Sequence, residues 1–112
     1  MEVRIIKATT PDLEKWKNIM NDLATAGFRV TTRPQKADLS IVLGGRFENP
    51  LVFKGYKVLA YNPNHWPPPV RNAGFAFFKP LLEEYYDELL EVNSNNAVEV
   101  ITEYVRRKRQ TN

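Results

Sequence analysis

The sequence predicts a small three-layer α/β domain, with a mostly parallel sheet of four or five strands and helices on both faces. Three observations carry this expectation. Leu39–Leu43 (Leu-Ser-Ile-Val-Leu) is apolar at every position but one and runs into Gly44-Gly45, which reads as a strand buried on both faces. Ahead of it, a β-branched run, an amphipathic helical stretch and a second β-rich run make one β-α-β unit. Behind it lie a further apolar strand and two helical stretches able to cover the sheet.

In chain order, residues 3–8 (Val-Arg-Ile-Ile-Lys-Ala) have the β-branched density of a first strand. A helix start follows. Thr10 is a suitable N-cap, Pro11 suits the first helical position, and Asp12 and Glu14 favour the positive end of the helix dipole. Leu13, Trp16, Ile19, Met20, Leu23 and Ala24 recur at three- and four-residue spacing as one apolar stripe, and Gly27 stands where a C-cap glycine belongs. Residues 28–31 read as the second strand, parallel to the first, with an antiparallel placement as the competing arrangement. Pro34 argues against a helix between this strand and Leu39–Leu43. Residues 46–50 form a loop, a helical turn is expected to reach Phe53, and residues 57–61 form a further buried strand.

Residues 62–74, with Pro67-Pro68-Pro69, are expected to be a long irregular loop, and residues 74–78 a short edge strand or packed loop. A helix is expected from Pro80, where Leu81, Leu82, Tyr85, Tyr86, Leu89 and Leu90 make a broad apolar face. After an asparagine hinge at residues 93–96, Asn96 and Glu99 have the spacing of a capping box. Ala97, Val98, Ile101, Tyr104 and Val105 form the last stripe. This is the pattern of a Rossmann-like or flavodoxin-like domain over residues 1–112. Residues 1–79 supply the sheet, crossover helix and loops, and residues 80–109 supply two covering helices and a basic tail.

Composition narrows the function classes. The chain has 112 residues, no cysteine, and no apolar run long enough to span a membrane, which excludes thiol chemistry and a transmembrane anchor within it. The mixed-charge start lacks the pattern of a signal peptide, so a soluble cytoplasmic protein is expected. The net charge of +3 is segregated: residues 1–79 carry +6, residues 80–105 carry −7, and Arg106-Arg107-Lys108-Arg109 adds +4. An acidic segment beside a basic body softens the field of each, and this is not the uniform stripe of a nucleic-acid binder. The tetrabasic run reads as a solvated terminus complementing the negative end of the last helix, rather than as a phosphate contact.

The expected ligand edge is the carboxyl end of the sheet, where open α/β sheets bind ligands as strand order reverses. Thr9, Thr10, Gly44, Gly45, Arg46, Asn49, Asn62, His65 and Trp66 fall there. Free backbone N–H groups at Gly44-Gly45 and the Arg46 guanidinium would suit an anion or a nucleotide-like ligand, although two glycines also simply end a buried strand. Residues 38–45 resemble the strand and Gly-Gly turn of the NAD and diacylglycerol kinases. Those families continue Asp-Gly-Thr where this chain has Arg46-Phe47-Glu48, so the match stops short of their catalytic carboxylate. No motif names a cofactor or a metal.

His65, the single histidine, reads as a solvent-exposed loop residue, with Glu48 the only nearby acidic partner for a base role. Trp66 with its prolines reads as a stiff lid over the sheet edge, or as a ligand for an aromatic-lined groove. The leading expectation is a non-catalytic binding domain. The second is an adaptor or homodimer acting through residues 81–105, with Tyr85, Tyr86, Leu89 and Tyr104 at the interface. A small transferase or hydrolase comes third, because no acid, base and nucleophile constellation is visible.

Overall fold

Five strands, β1 (Val3–Ile6), β2 (Arg29–Thr31), β3 (Leu39–Leu43), β4 (Tyr56–Tyr61) and β5 (Glu88–Glu91), pair in parallel in the order β2-β1-β3-β4-β5. This computed structural model describes residues 2–8, 13–31, 37–44, 55–65 and 75–110. Three helices flank the sheet: α1 (Leu13–Thr25), α2 (Phe75–Tyr85) and α3 (Ala97–Gln110). A 3₁₀ turn at Pro63–His65 follows β4. The α/β architecture and the parallel placement of the second strand are as expected.

The two-residue period of the strands sorts their side chains between two cores. On one face Val3 and Ile5, Leu39, Ile41 and Leu43, and Val58 and Ala60 meet Trp16, Ile19, Met20 and Leu23 of α1 and Ala97, Ile101 and Val105 of α3. On the other face Ile6, Val42, Leu59 and Tyr61 pack under Leu82 and Tyr86. The register Ile5↔Ile41↔Val58 lines up the first core, and Ile6↔Val42↔Leu59↔Leu89 the second. All five residues of β3 are buried, and Ile41, Val42 and Leu43 have no exposed surface, as a two-sided central strand requires. Fully burying each such side chain is worth about 1.5–3 kcal/mol.

The short connection over residues 32–38 does not join neighbouring strands. β2 and β3 lie on opposite sides of β1 and run parallel to it, so residues 32–38 carry the chain from the carboxyl end of β2 across to the amino end of β3. α1 ends as its glycine predicts: Gly27 has φ 100°, and the Phe28 N–H returns to the Leu23 carbonyl at 3.1 Å.

Three expectations about the C-terminal third are corrected. The second helix starts at Phe75 rather than Pro80, so residues 75–78 are helical and Pro80 lies inside the helix. The helix ends at Tyr85, and Leu89 and Leu90 belong to a strand. Without that strand, β4 would present an unpaired row of N–H and C=O groups, and pairing overrides the helix propensity of the Glu-Leu-Leu-Glu run. Strand alternation then sends Leu89 to the α2 core and Leu90 to the α1–α3 core, so no single helix carries the broad face expected of residues 81–90.

The third correction is the capping box, which sits three residues earlier. Asn93 Oδ1 accepts from the N–H groups of Asn95 (2.9 Å) and Asn96 (3.0 Å), while Asn96 Oδ1 accepts from the Asn93 N–H at 2.9 Å. Residues 94–96 are therefore the opening turn of α3 rather than a hinge, continued by the Ala97 N–H on the Asn93 carbonyl at 2.9 Å.

Candidate functional site

Chain direction places the carboxyl ends of β1, β3 and β4 at one edge, with the start of α1 beside them. β3 ends on Gly44, whose φ of 152° favours glycine and whose N–H reaches the Ala60 carbonyl of β4 at 3.1 Å. β4 is followed by Asn62, only 3% exposed. Its Oδ1 accepts the Asn64 N–H (3.0 Å) and its carbonyl accepts the His65 N–H (2.9 Å), so Asn62 builds the 3₁₀ turn.

That turn sets the histidine. With Oδ1 taken by the Asn64 N–H, the amide nitrogen of Asn62 faces His65 Nε2 at 3.2 Å and donates to it. This network assigns the neutral ring its proton on Nδ1. The ring stands edge to face with Trp16, centroids 5.5 Å apart at 89°, and the Lys15 ammonium donates to the His65 carbonyl at 2.7 Å. His65 is thus half-buried rather than solvent-exposed, because the fully buried Trp16 at the start of α1 draws the turn onto the helix. Its orienting partner is Asn62, not an acid. The lone pair a general base would use is the one Asn62 already engages, which argues against base catalysis by this ring.

The structure therefore brings together Gly44, Asn62 and His65 of the expected edge. Thr9, Thr10, Gly45, Arg46, Asn49 and Trp66 lie outside the described residues, as do Glu48 and the proline run. Lys15 and Trp16 were missed as site residues. Trp16 belongs to the apolar stripe of α1, and only its contact across 49 positions with His65 reveals a second role.

The expected interface residues separate. Tyr86 is buried in the α2 core, Leu89 packs against that core, and Tyr104 packs against the other one. Tyr85 is the exposed member, at 38%. A concavity of about 530 Å³ lies between α2 and β5, where Tyr61, Tyr86 and Leu89 meet Lys79, Glu83 and Asp87. A second, of about 390 Å³, runs between α1 and the edge strand β2, with Lys7, Lys17, Met20 and Val30 in its wall. Arg4 and Ser40, register partners on β1 and β3, are also buried, and Arg4 Nε and Ser40 Oγ have no hydrogen-bond partner among the described residues. They stand towards the amino end of the sheet, away from the Gly44–His65 edge.

Among the described residues no group of three or more acidic, histidine or cysteine side chains could hold a metal ion, and no helix is long and apolar enough to cross a membrane. No family model, no curated protein and no solved structure matches this chain.

Proposed function

We propose that this chain is a binding module that holds a small anionic or nucleotide-like ligand at the carboxyl edge of its sheet, without catalysing a reaction on it. The observation that carries this reading is the strand order. β1 and β3 are neighbours, yet the chain leaves β1 for β2 on one side and leaves β3 for β4 on the other. Loops that part company between two parallel strands leave the crevice in which α/β sheets receive ligands. Thr9 and Thr10 follow β1, and Gly45, Arg46 and Asn49 follow β3. Where β1 leads into α1, Lys7 and Lys15 are balanced by Asp12 and Glu14, so the anion reading leans on Arg46 and on the backbone N–H groups beside it in sequence.

The test is a thermal-shift series with inorganic phosphate, pyrophosphate and nucleotides on the wild type and on Arg46→Ala. A ligand at a hundred times its Kd adds about 2.7 kcal/mol to stability, which for a chain of this size is a rise of about ten degrees. Arg46→Ala should lose most of that rise while its own stability stays within about 0.5 kcal/mol of wild type. If no phosphate-bearing ligand raises the wild-type melting temperature, the proposal fails.

A protein contact through α2 and β5 is the second reading. It is favoured by the exposed Tyr85 and by the partly exposed Leu89 and Leu90 on an outer strand. Sedimentation across micromolar concentrations separates a self-associating chain from a constant 13.0 kDa species.

A further inference from the structure

At the amino end of β4 and β5, opposite the proposed ligand edge, one ammonium group is flanked by two aromatic rings and a carboxylate. Tyr56 opens β4, Glu88 opens β5, and Tyr104 and Lys108 lie one turn apart on α3. Glu88 Oε2 accepts from the Tyr104 hydroxyl at 2.5 Å and from the Tyr56 hydroxyl at 3.3 Å. The same oxygen lies 3.4 Å from Lys108 Nζ. That ammonium is 4.6 Å from the centre of the Tyr56 ring and 5.5 Å from that of Tyr104, both within the range of a cation–π contact.

A simple surface ion pair needs only the carboxylate. Here the carboxylate also holds both phenols by their hydroxyls, which fixes the rings. Burial and the bond to Glu88 push the Tyr104 phenol above the usual tyrosine range, so it remains a neutral donor. Two ring faces and a negative charge around one site is the arrangement that recognises alkylammonium groups, because such cations shed water easily and the ring quadrupoles replace it.

We propose that Tyr56, Tyr104 and Glu88 form a recognition site for a small alkylammonium group, of the choline or methylated-lysine kind, which Lys108 occupies in cis. The site is closed in the structure by the chain's own side chain. Lys108 stands in the last turn of α3, where backbone hydrogen bonding is weakest, so the plug rests on an element that opens at small cost. Tethering gives the plug an effective concentration in the millimolar range, which a free cation must exceed unless Lys108 is displaced or loses its charge by acylation.

The experiment follows tyrosine ring resonances by NMR in wild type and in Lys108→Gln. Tetramethylammonium, choline and Nε-trimethyllysine are the probes, and 3,3-dimethylbutanol is the neutral isostere of choline. Lys108→Gln should bind the cations saturably and about tenfold or more tighter than wild type. The neutral isostere should give no saturable shift. Tyr56→Leu and Glu88→Gln, each combined with Lys108→Gln, should abolish the effect. These positions are at the surface or partly exposed, so the variants should fold. A tighter grip on trimethyllysine than on choline assigns the site to modified lysine, and the reverse to a free cation. Lys108→Gln binding no cation, or binding the isostere equally well, overturns the proposal. A failed phosphate series at the opposite edge does not touch it.

Discussion

Gly55 and Gly27 share a φ of 100° and differ in everything around them. A Cβ on Gly55 would lie 2.2 Å from the Ala37 carbonyl oxygen, a backbone atom at the start of β3 that cannot swing aside. A Cβ on Gly27 would meet nothing within 4 Å. Gly27→Ala should therefore cost only the backbone strain, about 1–2 kcal/mol. Gly55→Ala adds a collision to that strain and should cost about 3 kcal/mol or more. Denaturant melts of the two variants check the contrast, and equal losses would show that the Ala37 contact yields. The role of Gly27 was legible, since it closes an apolar stripe of helical period. Gly55 reads in sequence only as punctuation, because the atom it avoids lies 18 positions away.

Among the elements, α3 shows how a cap is misplaced when only spacing is read. Asn96 and Glu99 have the spacing of a capping box, but Asn93 and Asn96 have it too, and the structure uses the earlier pair. Val92 explains the choice. It is 3% exposed and its N–H bonds the Tyr61 carbonyl at 2.9 Å, so β5 pairing runs up to the residue before the cap. Asn93→Ala should cost about 1 kcal/mol in denaturant melts, whereas Asn96→Ala removes one bond and should cost less. A larger loss from the second would place the cap at Asn96 after all. The boundary between α2 and β5 was illegible for a similar reason. Leu, Glu and Tyr satisfy a helical stripe over residues 81–90, and only the free edge of β4 makes a strand of the last part.

Across the whole molecule, the charge segregation resolves locally. Arg106 and Arg107 bind Glu103, Lys108 binds Glu88, and Lys79 lies 3.8 Å from Glu83. The tetrabasic run lies at the carboxyl end of α3, with Arg106, Arg107 and Arg109 exposed to solvent, and answers nearby acidic side chains from there. The exposed pairs contribute little to stability, and their attraction fades with salt. Two tyrosines add a response to base. Burial, reinforced by Glu91, raises the Tyr61 phenol above its ordinary value, and burial with the bond to Glu88 does the same for Tyr104. A group whose folded pKa is raised keeps its full contribution below the unfolded pKa of about 10 and loses it as pH climbs further. Stability should therefore be flat at neutral to mildly alkaline pH and fall above about 10. Phenolate absorbance of these two residues should rise only with the loss of helical circular dichroism. Complete ionisation of every tyrosine in a still-native protein would contradict this.

What the sequence determined by itself is what local periodicity encodes. A two-sided apolar run ended by glycines had to be a central strand, and a stripe at three- and four-residue spacing with a terminal glycine had to be a helix. Together they imply a parallel α/β sheet and the edge at which its loops emerge. The tertiary structure alone decided which edge needed a fifth strand, where α2 stops, that His65 leans on Trp16, and that Lys108 sits between two tyrosines. Each of these depends on surfaces contributed by residues far apart in the chain, such as Lys15 with His65 across 50 positions and Tyr56 with Glu88 across 32. An unpaired backbone edge or a buried aromatic ring selects such partners by free energy of burial and hydrogen bonding, and no local pattern records that selection.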